Sequence, residues 1–447
     1  MLSNLRVKVY DVEFGDCVLV QFPDRDRIYS ILVDCGTWSA FDPIVKDVLA
    51  EIENDLPIDG DKRRLDLLVA THPHLDHIKG FDYNYLKNVK IYNIWLSCFL
   101  DLDHKQSKAN ALAIQELAES AARSIDLRCV DKNSQLEMYL QNRISKSGAI
   151  VMLRDTLPQK NGIKPLYMCR DLADSTLNLI DDEKKQKYKL SFSNKTTCFK
   201  DFKEPDTSIR ILSPEYNIDK YYLGDIDARI GNLSALYTLD KDNEVKINNE
   251  EVMYRLPEPD NISKRDFRIL CDSLHYSALS FMQLDDHLTN DTSIVFLLEW
   301  RRKRLLFTGD AEFHRGEIEE EASNASWDVI VEKLKNEDYF RDLDFLKVSH
   351  HGSINGTPFI DEEGVTQTVL NRIIPKDRGA KIVVSTKPKV KGRNVPNSNL
   401  MIELGGRCSD YRIYPYDPEY PELEGKKQPR RTDKEGTIEI IIEPGAD

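Results

Sequence analysis

The chain has 447 residues, 40% of them hydrophobic, and a formal net charge of −14. That charge opposes non-specific attraction to nucleic acid or anionic membrane, so a polyanionic substrate must be met by local cations or by metal. No run of about 18 or more apolar residues is present, the N-terminal stretch shows no signal-peptide profile, and the eight cysteines stand singly without a CxxC pair, which argues against a zinc ribbon and a secreted disulfide framework. The expectation is a soluble cytoplasmic protein of two or three domains, or one large domain carrying insertions.

Residues 5–12 and 16–22 read as strands around the turn "FGD", and "YSILVDCG" (29–36) as a third strand ending at Asp34 and Gly36. "FDPIVKDVLAEIEND" (41–55) spaces its apolar residues as a helix does, and "LDLLVAT" (65–71) is a continuous apolar strand that runs into "THPHLDHIKG" (71–80). "KIYNIWLS" (90–97) predicts a strand and "NALAIQELAESAARSI" (110–125) an amphipathic helix. From about 130 to 280 the pattern weakens into short charged segments, read as polar insertions apart from the strand-like "TSIRILSP" (207–214). "TSIVFLLEW" (292–300) and "KRLLFTGD" (303–310) then predict a hairpin about two arginines, followed by a charged helical stretch over 311–336. "DFLKVS" (344–349) runs into "HHGS", "AKIVVST" (380–386) is another strand, 396–406 a helix, and 410–416 and 437–444 late strands. Between those last two, Lys426, Lys427, Arg430 and Arg431 read as a mobile surface loop.

Five of the nine histidines fall in "HPHLDH" and "SHH", each just after an apolar strand. In an extended segment His72 and His74, two apart, point to the same side, so both imidazoles could meet one metal. Asp76 and His77 follow where the chain must turn and could aim at a second ion beside the first. The isolated His104, His275 and His314 read as ordinary polar positions.

With "VDCG", "HPHLDH", "FTGD" and "SHHGS" in that order, the sequence resembles the metallo-β-lactamase superfamily. Its details look most like the hydrolase domain of competence DNA-uptake channel proteins and like phosphorylcholine esterases. The likeness extends over about 1–100, 205–215 and 285–400. It implies an α/β fold, a four-layer αββα sandwich with metals at the strand-end edge. Residues 1–129 would form its N-terminal half, 130–280 mostly insertions, and 281–447 its C-terminal half with an extension. The resemblance implies His72 and His74 on the first metal, Asp76 and His77 on the second, Asp310 bridging them, His351 on the second site and His350 facing substrate. Asp34 would accept a hydrogen bond from a ligand and fix its orientation.

Two departures stand out. Where many superfamily hydrolases carry a histidine this chain has "LTNDTS" (288–293), leaving Asn290, Asp291 or His287 to complete the first site; and Val395-Pro396 replaces a histidine-proline pair. The loop before it holds Lys387, Lys389, Lys391 and Arg393, cations suited to a phosphate or a nucleic-acid strand. Nitrogen and carboxylate ligands without thiolate suit Zn²⁺, with Mn²⁺ and Fe²⁺ also compatible. Two adjacent dications make a hydroxide available near neutral pH and bind the oxygens on which charge develops. The expected function is therefore a dinuclear, metal-dependent phosphodiesterase or nuclease, with Asp76 and His350 as catalytic residues. Hydrolysis of a small ester, lactam or thioester is one alternative. A sensor or scaffold protein, docking a partner through 130–280, is another.

Overall fold

The structure, a computed structural model, describes residues 3–38, 42–107, 146, 148–170, 191–193, 196–199, 202–204, 206–223, 286–313, 325–358, 365–388 and 395–445. The helix expected at 110–125, most of 130–280, His275, His314, Lys389, Lys391 and Arg393 lie outside the described residues.

The chain folds as a mixed α/β structure around two large sheets. Strands β1 (Leu5–Val9), β2 (Cys17–Asp24), β3 (Arg27–Cys35), β4 (Leu67–Ala70), β5 (Ile94–Ser97) and β6 (Leu166–Met168) lie side by side in that order. A second sheet runs, again in chain order, through β7 (Ser191–Ser193), β8 (Thr196–Phe199), β9 (Thr207–Ser213), β10 (Val295–Trp300), β11 (Lys303–Phe307), β12 (Phe345–Lys347), β13 (Lys381–Val384) and β14 (Arg430–Arg431). The final strand, β15 (Ile438–Ile442), returns to the first sheet and pairs antiparallel with β1, Val7 opposite Ile440. Strands β3, β4 and β5 are mutually parallel, as are β11, β12 and β13.

Successive strand residues face opposite sides of a sheet, and the second sheet uses both. Phe296, Leu298 and Trp300 of β10 join one core cluster with the residues of the first sheet, whereas Val295 and Leu297 join another. The latter cluster is completed by Trp327, Ile330 and Leu334 of α3 (Ser326–Leu334), Leu370 and Ile373 of α4 (Val365–Ile373), and Leu400, Met401 and Leu404 of α5 (Ser398–Gly405). Against the first sheet lies α1 (Asp42–Asp55), burying Val45, Val48, Leu49 and Ile52 at helical spacing. Each such large apolar side chain contributes about 1.5–3 kcal/mol when fully buried.

Three expectations change. The segment 65–71 is not one strand: the Asp66 carboxylate accepts from the Ser30 amide at 2.9 Å and from Arg64 Nε at 2.7 Å, so Lys62–Leu65 splits off to pair with Val89–Ile91 while Leu67–Ala70 stays in the large sheet. The strand read at 410–416 shortens to Arg412–Ile413. Arg430 and Arg431 do not belong to a mobile surface loop. Arg431 is fully buried beside β13, its guanidinium donating to Asp417 at 2.8 Å and to Asp433 at 2.9 and 2.7 Å, and Arg430 holds Glu435 at 2.7 Å. Among the described residues, no helix is long and apolar enough to cross a membrane.

Candidate metal centre

The carboxyl ends of β3, β4, β11 and β12 converge on one edge, where parallel α/β sheets commonly present their sites. After β4 the chain bends at His72 and Pro73, is extended at His74, and then makes one helical turn, α2 (Leu75–Ile78), which carries Asp76 and His77. Gly36 lets that turn approach β3. A Cβ there would lie 2.4 Å from the carbonyl carbon of Asp76 and from the amide nitrogen of His77. Backbone bonds lock the contact: Asp16 donates to the Asp76 carbonyl and Gly36 to the Asp16 carbonyl, each at 3.0 Å. The second sheet is tied to the same edge by the Ile294 amide, which donates to the Thr71 carbonyl at 2.9 Å.

Three groups of donors result among the described residues; Asp16, Asp34 and His77 form one, and the other two share Asp310. Asp76, His77, Asp310 and His351 form one, all buried; His72, His74 and Asp310 form the other, and the donor atoms within each group lie within 4.8 Å of one another. Asp310 Oδ2 lies 3.1 Å from His77 Nε2, 3.7 Å from His72 Nε2 and 3.8 Å from His351 Nε2. His72 Nε2 and His74 Nδ1 are 3.1 Å apart, and His351 Nε2 is 3.2 Å from Asp76 Oδ2. Asp76 Oδ1 and Asp310 Oδ1 are buried with no hydrogen-bond partner. Buried carboxylate oxygens without donors are costly, and a divalent cation between them and the imidazoles removes that cost, so the residues fit such an ion.

Asp34 stands behind this cluster. Its Oδ2 is 2.8 Å from His77 Nδ1 and accepts from the Thr71 hydroxyl at 2.7 Å, while Oδ1 accepts from the Thr71 amide at 2.7 Å. Asp34, His350 and His351 hold positive φ values of 54°, 46° and 55°, a conformation that costs energy for residues other than glycine and clusters at functional sites.

The electrostatics follow from burial and pairing. Burial pushes the His72 imidazole well below its usual range, and neighbouring His77 adds to that. His77 is burdened by burial too, yet Asp310 and Asp34 outweigh it and hold the ring well above its ordinary value. Burial raises Asp76, but the hydrogen bond from His351 and the charge of His77 more than reverse this, leaving it well below the usual carboxylate range. At Asp34 burial prevails and its value rises.

The segment 286–293 differs from expectation. Neither Asp291 nor His287 joins the His72–His74 group, and Asn290 Oδ1 is buried without a hydrogen-bond partner. His287 Nδ1 lies 2.5 Å from Glu312 Oε2, Asn290 Nδ2 donates to Glu312 Oε1 at 2.7 Å, and Asp291 Oδ1 accepts from the Ser326 amide at the start of α3 at 3.1 Å. The neighbour of His74 is instead Asp286, whose Oδ1 is 3.4 Å from its Nε2. His350 sits beside the cluster, its ring centroid 6.2 Å from that of His351. Lys387 is paired with Glu13 at 2.6 Å, and Val395 is buried, its carbonyl accepting from the Tyr420 hydroxyl. His104 is buried and donates from Nε2 to the Tyr216 carbonyl at 2.8 Å, a structural role.

Two residues at the site escaped sequence reasoning. Asp16, in the "FGD" turn, is buried and holds the buried Lys347 ammonium at 2.7 and 2.8 Å, with Oδ1 3.7 Å from His351 Nδ1. Glu312 gathers its partners from three separate segments, which no local spacing reveals.

Residues 10–83 match the family model of the metallo-beta-lactamase superfamily. No curated protein matches the chain. The matched region contains "HPHLDH", and together with the histidine and aspartate cluster it indicates a metal-dependent hydrolase.

Proposed function

We propose that the chain is a metal-dependent phosphodiesterase with a dinuclear centre, acting on nucleic acid or another phosphodiester. The observation that carries this reading is the sharing of buried Asp310 between two donor groups. The two sheets with helices outside them are read as the four-layer αββα sandwich of the superfamily. His72, His74 and Asp310 would hold one cation, and Asp76, His77, Asp310 and His351 the other. Zn²⁺ suits this nitrogen and carboxylate set best, with Mn²⁺ and Fe²⁺ compatible. Bound there, the cations supply Lewis acidity and water activation.

The protein's own groups do the rest. Asp34 holds His77 in one orientation through Nδ1. His350, beside the cluster and 15% exposed, is placed to give a proton to the leaving oxygen. Lys387 and, beyond the described residues, Lys389, Lys391 and Arg393 supply cations for a phosphate backbone that the net charge of −14 would otherwise repel.

Elemental analysis of the wild type and Asp310→Ala, with hydrolysis of bis(p-nitrophenyl) phosphate, tests this. The expected result is about two transition-metal ions per wild-type chain, at most about one in the variant, and a loss of at least about 100-fold in activity. One ion or none in the supplemented wild type would move the function to a sensor or scaffold. Two ions with cleavage of thioesters or lactams alone would replace the phosphodiester.

A further inference from the structure

Thr71, the residue that links β4 to His72, is fully buried, and each of its polar groups has a partner. Its amide donates to Asp34 Oδ1 at 2.7 Å, and its carbonyl accepts from the Ile294 amide at 2.9 Å. Its hydroxyl lies 2.7 Å from Asp34 Oδ2 and 3.1 Å from His72 Nδ1. A carboxylate only accepts, so the single hydroxyl proton goes to Asp34 and the hydroxyl oxygen is left to accept from His72 Nδ1. The other ring nitrogen of His72, Nε2, faces His74 Nδ1 at 3.1 Å and Asp310 Oδ2 at 3.7 Å. Asp34 Oδ2 also meets His77 Nδ1 at 2.8 Å, and His77 Nε2 faces Asp310 Oδ2 at 3.1 Å. From the second sheet Gly309, just past β11, packs against the same side chain. A Cβ there would lie 2.9 Å from both Cβ and Oγ1 of Thr71, so the glycine before Asp310 leaves the hydroxyl its place.

We propose that Thr71 is a positioning residue that joins the two halves of the candidate centre, so that one hydroxyl supports both cation positions; this rests on the dinuclear reading above and not on the identity of the substrate. The hydroxyl holds His72 directly and His77 through Asp34. On one side of the centre, Asp310 is common to the donor groups that contain these two histidines. On the other, contacts run from His72 through the Thr71 hydroxyl and Asp34 Oδ2 to His77. Without the hydroxyl, His72 loses the acceptor at Nδ1, and Asp34 Oδ2 loses one of the two side chains it meets. Both rings then gain freedom to turn away from the positions that face Asp310. Partners of this kind behind a ligating histidine are worth about 10–100-fold in metal affinity. A residue that held one histidine alone would affect one position; Thr71 stands where the supports of both meet.

The test measures Zn²⁺ dissociation constants for both binding steps, by competition with a chromophoric chelator, in the full-length wild type, Thr71→Val and Thr71→Ser. Valine keeps the branched shape beside Gly309 and removes the hydroxyl, whereas serine keeps the hydroxyl and removes the methyl group. Thr71→Val should weaken both steps by about 10–100-fold, and Thr71→Ser should bring both back to the wild-type values. A site that needs the volume of this side chain and not its hydroxyl predicts the opposite order, valine loading normally and serine poorly, and that result overturns the proposal. Weakening of one step alone overturns the joint role. Should Thr71→Val fail to fold, Thr71→Ser still decides: loading like the wild type supports a role for the hydroxyl, and weakened loading contradicts it. A wild type that binds a single ion removes the dinuclear reading and the joint role together, while two ions in the wild type with both steps unchanged in Thr71→Val overturn the role of Thr71 alone.

Discussion

The Lys347 ammonium lies 2.8 and 2.7 Å from the two carboxylate oxygens of Asp16, joining the second sheet to the turn between β1 and β2 with both side chains buried. Removing one partner strands a buried charge, whereas removing both does not. Lys347→Met should therefore destabilise the protein by about 3–5 kcal/mol, and Asp16→Asn combined with Lys347→Met by clearly less than the single change. Urea unfolding of the three proteins at one pH checks this, and a double variant as unstable as Lys347→Met would contradict it.

Asp34 reaches the candidate metal centre through His77 and, by way of the Thr71 hydroxyl, His72. Asn at this position tolerates the observed positive φ and keeps the shape of the side chain. Asp34→Asn should leave the fold intact and weaken metal affinity by about 10–100-fold. Competition with a chromophoric chelator measures it directly; unchanged affinity would remove Asp34 from the support of the site.

Gly36→Ala should be disruptive although it adds a single carbon. That carbon would meet main-chain atoms of Leu75, Asp76 and His77 at 2.4 Å, which cannot rotate aside. A loss of about 2–4 kcal/mol and displacement of Asp76 and His77 are expected, seen as lower thermal stability together with reduced metal content. Full metal loading in the variant would show that the turn has room to shift.

Two histidines outside the donor groups should move stability in opposite directions with pH. His104 is lowered by burial; its Nε2 donates to Tyr216 and its Nδ1 accepts from the Ser107 amide at 3.1 Å, so it is held neutral. Its contribution is present above the ordinary imidazole value of about 6.5 and is lost as pH falls below it. His287, paired with Glu312, is raised to about 9 chiefly by that charge. Its contribution is full below about 6.5 and is lost as pH rises through about 9. Unfolding free energies of His104→Gln and His287→Gln against pH should diverge from wild type accordingly, and parallel curves for either variant would contradict the assignment.

The first half of the site was legible because its information is local. "HPHLDH" follows an apolar strand and crowds four donors into six residues at the strand's end, so proximity in sequence alone gathers them. The hairpin at 292–310 and the strand at 207–213 were legible for a similar reason, as short apolar runs that the fold buries on both faces. Glu312 was not, because its neighbours His287, Asn290 and His350 arrive from distant parts of the sequence. Arg431 was misread for a related reason. A cluster of cations in a polar stretch has the composition of a surface loop, and contacts with Asp417, Asp433 and Gln428 offset the cost of burying the guanidinium.

The pairing of β1 with β15 has a consequence for the order of assembly. Leu5 lies opposite Ile442, so the sheet that positions Asp34 and His72 acquires this strand only after hundreds of further residues have been synthesised. Until then β1 is an open edge, able to pair with other chains. Contacts of such sequence separation form slowly. Yield of the folded protein should therefore depend on how well that edge is shielded during translation, with β15 acting as the closing clasp of a structure whose first candidate donors, His72 to His77, were made hundreds of residues earlier.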